Sequence, residues 1–289
     1  MVIENIKEFL LNLKNKALLH LNVSTYEQLK AAIESSQETK IPIIIGVSEG
    51  ERNYWGINYI EDLIDEAKEQ GINVFLNADH CKTFKSAKEA IDLKFDFVLF
   101  DGSELSFKKN ISTTKKIVEY KNKINLKTLI EGEIGYLVGH SDIEKKIELK
   151  EQYFTNPDLA YEFVNKTNVD LLAISVGNIH GMPQKVIFRG KEHKKPKIDF
   201  NLIKKIKEKV KIPLVLHGGS GLSKKDYLLS IKSGIQIIHI NTEIRVLWKS
   251  LLNKFIIKKT NIPYSILMPI KDKIKLRIIY YQKLFWSIN

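Results

Sequence analysis

NVFLNADHCKTFKSAKEAIDLKFDFVLFDGS, residues 73–103, holds the reading that decides the fold. Its two apolar runs, 73–78 and 95–100, are short and rich in Val, Phe and Leu. They are apolar at successive positions, which marks strands covered on both faces. Residues 83–93 between them carry a helical period. The unit therefore reads strand, helix, parallel strand. Each apolar run also ends in polar residues: Asp79-His80 after the first, Asp101-Gly102-Ser103 after the second. A plain turn would prefer Gly or Pro beside Asp79. An acid next to an imidazole suits a catalytic rim that needs a base and a metal ligand.

The same pattern recurs along the chain. Strands are expected at 17–21, 42–47, 73–78, 95–100, 127–131, 170–176, 212–216 and 235–240. Amphipathic helices are expected at 24–36, 57–70, 83–93, 106–121, 157–167, 199–210, 223–233 and 243–258, with further helices at 3–15 and 270–287. A Ser/Thr cap at Ser24 with Glu27 three residues on predicts a capping box for the first of these. Eight strands in strict alternation with helices predict an α/β fold, a (β/α)8 TIM barrel in a single domain spanning 1–289, with additional N- and C-terminal helices. A doubly wound open sheet is the rival, but no Gly-rich dinucleotide turn follows the first strand. The longest irregular stretches, 136–155 and 177–198, have the length of functional loops.

Composition bounds the class. With 289 residues and 44% hydrophobic content, a sizeable core is available and disorder is disfavoured. The single cysteine, Cys81, excludes a disulfide framework and fits a reducing cytoplasm. The first residues show neither the basic lead nor the cleavage site of a signal peptide. No apolar run approaches the ~20 residues of a membrane span. A cytoplasmic chain without a membrane partner is expected. The net charge of +12 comes from 46 basic residues, of which only Arg52, Arg189, Arg245 and Arg277 are arginines. The lysines lie scattered on polar helix faces, as in Lys204-Lys205-Ile206-Lys207-Glu208-Lys209. Nucleic-acid readers favour arginine interleaved with aromatics, so no nucleic-acid partner is expected. A solvated surface that attracts phosphorylated substrates fits better.

Active sites of such barrels lie at the C-terminal strand ends. The chain has seven histidines, and His80, His180, His217 and His239 fall at predicted strand ends, with His20 near a fifth. A single histidine there would suit a buried ring bonded to backbone. Three imidazoles from separate strands make a tripod with an open position, the pattern of a catalytic zinc site. Asp79 beside His80 has two roles open to it: a base for a proton acidified by the metal, or a carboxylate that orients a ligand histidine. The run LHGGSGL, 216–222, supplies successive backbone N–H groups as an anion nest, and Ser223 then caps a helix. Gly218, Gly219, Ser220, Asn241 and Thr242 suit phosphate binding after the last two strands.

Taken in order, LNVSTYEQLKAAIESS (21–36), VSEG (47–50), ADH (78–80), DGS (101–103), EGEIG (131–135), GNIHG (177–181), LHGGSG (216–221) and INTE (240–243) resemble the class II, metal-dependent fructose-bisphosphate aldolase family, including its tagatose-bisphosphate members. The resemblance runs from about residue 16 to about residue 285. It implies a homodimer or homotetramer of TIM barrels, acting in glycolysis and gluconeogenesis. It implies Zn2+ held by His80, His180 and His217, with Asp79 as the proton-transferring acid. The implied phosphosugar substrate is fructose 1,6-bisphosphate, cleaved to dihydroxyacetone phosphate and glyceraldehyde 3-phosphate. Zinc would polarise the dihydroxyacetone carbonyl. Gly181, Gly218, Ser220, Asn241 and Thr242 would hold the ketone-side phosphate, near a monovalent cation (Na+ or K+). Glu133 would approach the metal, and Ser48 would reach the substrate.

The chain also departs from the family pattern. His239 stands where the family usually has Asn, a residue that contacts the dihydroxyacetone part. Gln184 stands where a phosphate-binding Lys is frequent, followed by Lys185 and an insertion-like stretch at 186–195. The loop after the fifth strand reads Gly139-His140-Ser141-Asp142 instead of carrying paired Glu. These changes keep two alternatives in view: an aldolase for tagatose bisphosphate or another ketose phosphate, and a catalytically weak phosphosugar-binding or regulatory barrel. Cys81 adjoins a ligand position, and a small buried residue is expected there rather than a zinc thiolate.

Overall fold

Strand pairing in the computed structural model, which describes residues 3–124, 127–140, 142–257 and 260–286, closes on itself. Eight parallel strands form the barrel: β1 (Leu18–Asn22), β2 (Ile43–Ser48), β3 (Val74–Cys81), β4 (Phe97–Phe100), β5 (Leu129–Ile134), β7 (Leu171–Ile174), β10 (Leu214–Leu216) and β11 (Ile235–Ile240). Their order is β1-β11-β10-β7-β5-β4-β3-β2, so the (β/α)8 expectation holds and the open doubly wound sheet does not. Around them lie α1 (Ile6–Asn12), α2 (Tyr26–Thr39), α3 (Glu49–Trp55), α4 (Ile57–Glu69), α5 (Phe84–Asp92), α6 (Phe107–Lys123), α7 (Pro157–Thr167), α8 (Phe200–Val210), α9 (Lys224–Ser233), α10 (Thr242–Ile256) and α11 (Pro263–Trp286).

Side chains alternate across each strand, and this parity sorts the interior. Leu18, Ile44, Phe75, Phe97, Leu129, Leu171, Val215 and Ile237 point inward and form one apolar cluster with Leu10 of α1. Their neighbours Leu19, Ile43, Ile45, Val74, Leu76, Val98, Ile130, Leu172, Leu214 and Ile238 belong to a second cluster, between sheet and helices. Two residues further along the inward face, the chemistry changes. His20, Asn77, Glu131, His217 and His239 are all buried. Two further on, Asn22, Asp79 and Glu133 are buried as well. The barrel is thus apolar at its N-terminal end and polar at its C-terminal end, where a site is expected.

Several boundaries differ from the sequence reading. The capping box of α2 uses Thr25 and Gln28, one residue after the expected cap, because the Thr25 hydroxyl accepts from Gln28 N–H and the Gln28 side chain returns the bond. Strand β5 runs on to Ile134, which places Glu133 inside the strand. Residues 49–69 form two helices, α3 and α4, that meet at Gly56 with φ of 75°. Helix α11 begins at Pro263, before the expected 270. The expected ends at 258 and 287, and Ser141, lie outside the described residues.

The two long loops are partly regular. They supply β6 (Ile147–Leu149), β8 (Val186–Phe188) and β9 (Lys191–His193), a three-stranded sheet of order β6-β8-β9. The insertion-like stretch is the β8–β9 hairpin, turning at Arg189-Gly190. Ile147, Leu149, Ile179 and Val186 bury one face of it, and Phe154 stacks on Phe188. This sheet ties the loop after β5 to the loop after β7, beside the rim.

Candidate metal centre

A bulge delivers the first ligand. Ala78 of β3 pairs with Val98 and Cys81 with Phe100, so β3 carries one residue more than β4 over that step. His80 takes up the excess with φ of 51°, a left-handed backbone that a non-glycine residue seldom adopts. Bulges of this kind re-aim a side chain at a barrel rim. Cys81, the next residue, is fully buried, and burial pushes its thiol upward in pKa, as expected of a packing residue.

His80, His180 and His217 converge, and one nitrogen from each lies within 4.8 Å of the others. Their ring centroids are 5.4, 5.2 and 6.2 Å apart. Zinc–nitrogen bonds of about 2.0–2.1 Å at tetrahedral angles would place such centroids roughly 5 Å apart. Two of the outer nitrogens are assigned by their partners. Nδ1 of His80 bonds Asp101 Oδ2 at 2.8 Å, and Nε2 of His217 bonds Glu131 Oε1 at 2.9 Å. Carboxylates in these positions fix ring orientation and raise ligand basicity. The opposite nitrogen of His217, Nδ1, is buried and has no hydrogen-bond partner among the described residues.

The charges around the tripod call for a cation. Asp79, Asp101, Glu131 and Glu133 are all buried at this end of the barrel. Asp79 Oδ1 and Glu133 Oε2 have no hydrogen-bond partner among the described residues. Unpaired buried carboxylate oxygens are expensive unless a positive charge meets them. Burial by itself would lower the pKa of His80, but Asp79, Asp101 and Glu133 outweigh it and hold the ring up at about 10. Burial would raise Asp79, yet the imidazoles of His80, His20 and His217 and the Asn22 amide bring it to about 2. Burial and the charge of Asp101 raise Glu133 to about 7. Burial lowers His180 to about 3. The donor set, three imidazoles of which two have an outer nitrogen held by a carboxylate, amid excess carboxylate, fits a divalent ion with nitrogen preference.

Asp79 lies 4% exposed at the tip of β3, opposite Ser48 in the β2–β3 register. Its Oδ2 accepts from Asn22 Nδ2 at 2.9 Å. Glu51 anchors this corner: it accepts from Asn22, from the Ser48 hydroxyl at 2.8 Å, from the Ser24 hydroxyl at 2.6 Å and from Arg245 at 3.1 Å. Ser48 therefore reaches the site but donates its hydroxyl to Glu51.

A cavity of about 260 Å³ opens onto these groups. Asp79, His80, His180, Gly181, His217, Gly218, Ser220, His239, Asn241, Thr242 and Ser48 line it, together with Asn22 and Arg245. Gly219 is not part of the lining; its N–H donates to His239 carbonyl oxygen at 2.9 Å and locks the loop to β11. Gly218 has φ of 62°, and a Cβ there would sit 2.0 Å from the Ile179 carbonyl oxygen. The loop can approach its neighbour only as glycine. Ser220 Oγ accepts from the N–H groups of Asn241 and Glu243, both at 3.2 Å, and so joins the two phosphate-type loops. Fully buried Asn178 does the same between β7 and β10, donating to Ile174 and His217 carbonyls and accepting from Val176 N–H.

Glu133 faces the other side of His80, in a hollow of about 240 Å³ with Lys82, Asp101 and His140. Its Oε2 is 4.0 Å from His80 Nδ1. A larger hollow of about 650 Å³ lies at the opposite end of the barrel beside α1. Its charges are largely matched, Lys7 and Lys121 with Asp170 and Lys68 with Asp96, and it holds none of the histidines.

Asn22, Asp101, Glu131, Arg245 and His20 join the site without having been singled out as site residues from sequence. Asp101 and Asn22 carried a signal, since each is polar at a strand end. His20 stands near a strand end in the sequence, but its tie to the site, like that of Glu131, shows only through inward parity.

Comparison with known proteins points to one family. The family model described as Fructose-bisphosphate aldolase class-II matches residues 5–289. The fructose-bisphosphate aldolase of Staphylococcus aureus is 33% identical over 250 residues, covering 84% of this chain and 82% of its own. That of Geobacillus stearothermophilus is 30% identical over 278 residues, covering 94% and 92%. The crystal structure of the YdjI aldolase from Escherichia coli superposes with a TM-score of 0.79 at 25% identity, covering 97% of this chain and 95% of that one. The chain belongs to the class II fructose-bisphosphate aldolase family.

Proposed function

We propose that the protein is a zinc-dependent aldolase that cleaves fructose 1,6-bisphosphate to dihydroxyacetone phosphate and glyceraldehyde 3-phosphate, and runs the reverse condensation. The observation that carries this reading is the convergence of His80, His180 and His217 beside the unpartnered Asp79 Oδ1. Bound there, zinc supplies Lewis-acid polarisation of the substrate ketone. Asp79, ionised at neutral pH, accepts the proton of the hydroxyl next to the bond that breaks, and returns it in condensation. Asp101 and Glu131 hold the His80 and His217 rings in register. Gly181, Gly218, Ser220, Asn241 and Thr242 place backbone and side-chain donors around a phosphate, and Gly219 fixes their loop. A Na+ or K+ beside that phosphate would meet Asn241 Oδ1, which lacks a hydrogen-bond partner among the described residues. Glu133, whose Oε2 is 4.0 Å from His80 Nδ1, is read as the carboxylate that approaches the metal when it shifts.

The reading extends to a single-domain cytoplasmic enzyme of glycolysis and gluconeogenesis, assembled as a homodimer or homotetramer. No helix among the described residues is long and apolar enough to cross a membrane. Exposed Leu276 and Tyr280 on α11 are apolar surface that an assembly would cover. A second reading, an aldolase for tagatose bisphosphate or another ketose phosphate, is favoured by one feature: His239 lines the cavity and stacks on His20. Purified protein assayed for triose phosphate release, with chelator and with zinc restored, tests both. Zinc-restored cleavage of fructose 1,6-bisphosphate supports the first reading. Cleavage confined to another ketose bisphosphate supports the second. Binding without cleavage by zinc-loaded protein would leave a phosphosugar-binding barrel.

A further inference from the structure

The interior of the barrel holds a stack of three imidazoles. His239 lies between His20, at 3.5 Å and 6° between ring planes, and His217, at 4.0 Å and 19°. Strand register brings the first pair together, since His20 of β1 sits directly opposite His239 of β11. Neighbouring strands at about 4.8 Å with side chains on one face will stack flat rings. The position of His20 is built. The neighbouring strand offers Gly46, where a Cβ would lie 2.2 Å from His20 Cε1, so that the ring lies against bare backbone. Asn77 of β3 bonds His20 Nε2 at 2.9 Å.

A second metal ion is one use for this cluster, because His20, Asp79 and His239 have ligand atoms within 4.8 Å of one another. The stack argues against it. Imidazole lone pairs lie in the ring plane, and one ion cannot lie in two near-parallel planes 3.5 Å apart. The geometry suits a different task. His239 Nδ1 is 3.8 Å from Asp79 Oδ1, beyond hydrogen-bond length and open to an inserted oxygen. Asp79 Oδ1 has no other partner among the described residues, and both residues line the cavity.

We propose that His239 and Asp79 together select one substrate hydroxyl, and that His20 is the positioning residue that keeps the His239 ring in place. This rests on the ketose-bisphosphate reading. A hydroxyl can donate to Asp79 Oδ1 and accept from His239 N–H at once. A carbonyl oxygen cannot donate, and a carboxylate would be repelled by Asp79. The hydroxyl is the one on C4, because Asp79 takes its proton there. Sugars that invert C4 place that oxygen elsewhere, so His239 discriminates between C4 epimers.

The test compares fructose and tagatose 1,6-bisphosphates with zinc-loaded full-length protein. Wild type is expected to prefer one epimer. His239→Phe keeps the stack but loses the N–H, and should lower kcat/KM for the preferred epimer by about tenfold or more. It should also bring the ratio between epimers toward one, at unchanged zinc content. His239→Asn serves the same comparison if the Phe variant folds poorly. His20→Ala should shift the ratio in the same direction and add little on a His239→Phe background. Equal use of both epimers by wild type, a ratio unmoved in either His239 variant, or independent effects of His20 and His239 would overturn the proposal. Should wild type cleave neither sugar, the aldolase reading fails by itself. Calorimetric affinity for intact fructose 1,6-bisphosphate then decides: a loss of about tenfold in His239→Phe sustains the His239 contact, and equal affinity removes it.

Discussion

Titrating zinc into the metal-free protein at pH 7.5 should release at least about one proton for each ion bound, with His80 the main source. His217 adds to it, since burial lowers its pKa but Glu131 and Glu133 outweigh burial and raise it. Asp79, Asp101 and Glu133 hold the metal-free His80 at a pKa of about 10. At pH 7.5 the protonated ring then outweighs the neutral one by roughly 300-fold. A ligand imidazole must be neutral, so the ion displaces that proton. Nδ1 keeps its hydrogen on Asp101, at 2.8 Å, and the proton leaves from the opposite nitrogen. The sign follows. Apparent zinc affinity rises with pH, by about tenfold per unit from about pH 7 to 9, and levels off near pH 10. The same shift acts on the metal-free fold in the opposite direction. Its contribution to stability is fully present below pH 6.5, the ordinary histidine value, and is lost as pH rises through about 10.

The assay is calorimetry in buffers of different ionisation enthalpy at one pH, which yields protons released per ion. Asp101→Asn removes the carboxylate bonded to His80 while keeping the side chain's size. That variant should release less than the wild type at pH 8–9 and show a flatter pH slope. Heats that do not depend on the buffer at pH 7.5 would refute the assigned charge on His80, and with it the account of the carboxylate cluster as a cation trap.

The remaining expectations concern single side chains. His217→Ala should lose bound zinc and cleavage together, and full zinc occupancy by elemental analysis would remove His217 from the tripod. Asp79→Ala should keep zinc and lower kcat by about 10²–10⁴-fold, the usual scale for a positioned proton acceptor; unchanged kcat would leave Asp79 only an orienting role. Asn178→Ala strips three buried backbone partners of their bonds and should destabilise by about 3 kcal/mol. Thermal melting would show this as a fall of roughly 5 °C, and an unshifted midpoint would mean that water replaces the amide. Ser220→Ala should chiefly raise KM for the phosphosugar, because the hydroxyl holds Asn241 and Glu243 N–H groups in the loop. A kcat loss at constant KM would contradict that assignment.

What could be read in the sequence follows the physics of each element. The doubly covered runs at 74–76 and 97–100 identify parallel strands because nothing else buries both faces. Their polar ends identify the rim, since Asp79-His80, Asn178-Ile179-His180 and His217-Gly218 have no apolar reason to be there. The depth of the site was harder to see. Glu131 and Glu133 fall within β5, and Glu131 is separated from His217 by 86 residues in the chain. A sequence shows that a carboxylate occupies an inward position; only strand register shows which histidine it meets. The added sheet is a related case. Three-residue strands such as Ile147–Leu149 carry too little periodicity to be seen alone and exist because Val186–Phe188 arrives alongside.

His20 makes the same point more sharply. Its neighbour in sequence is a leucine on either side, and a lone histidine in an apolar strand reads as an ordinary core residue. The register of β1 on β11 sets it face to face with His239, and Gly46 on β2 clears the space. Neither residue explains the other at a distance of 219 positions, yet each is costly without its partner. His239 alone would leave a gap beside its ring, and His20 alone would bury an unstacked imidazole. Burial holds both rings uncharged well below neutral pH, with His20 at about 4. Two neutral rings can stack at 3.5 Å where two charged ones would repel. The pair is therefore compatible with the histidine tripod beside it, and Gly46 supplies the room that the stack needs.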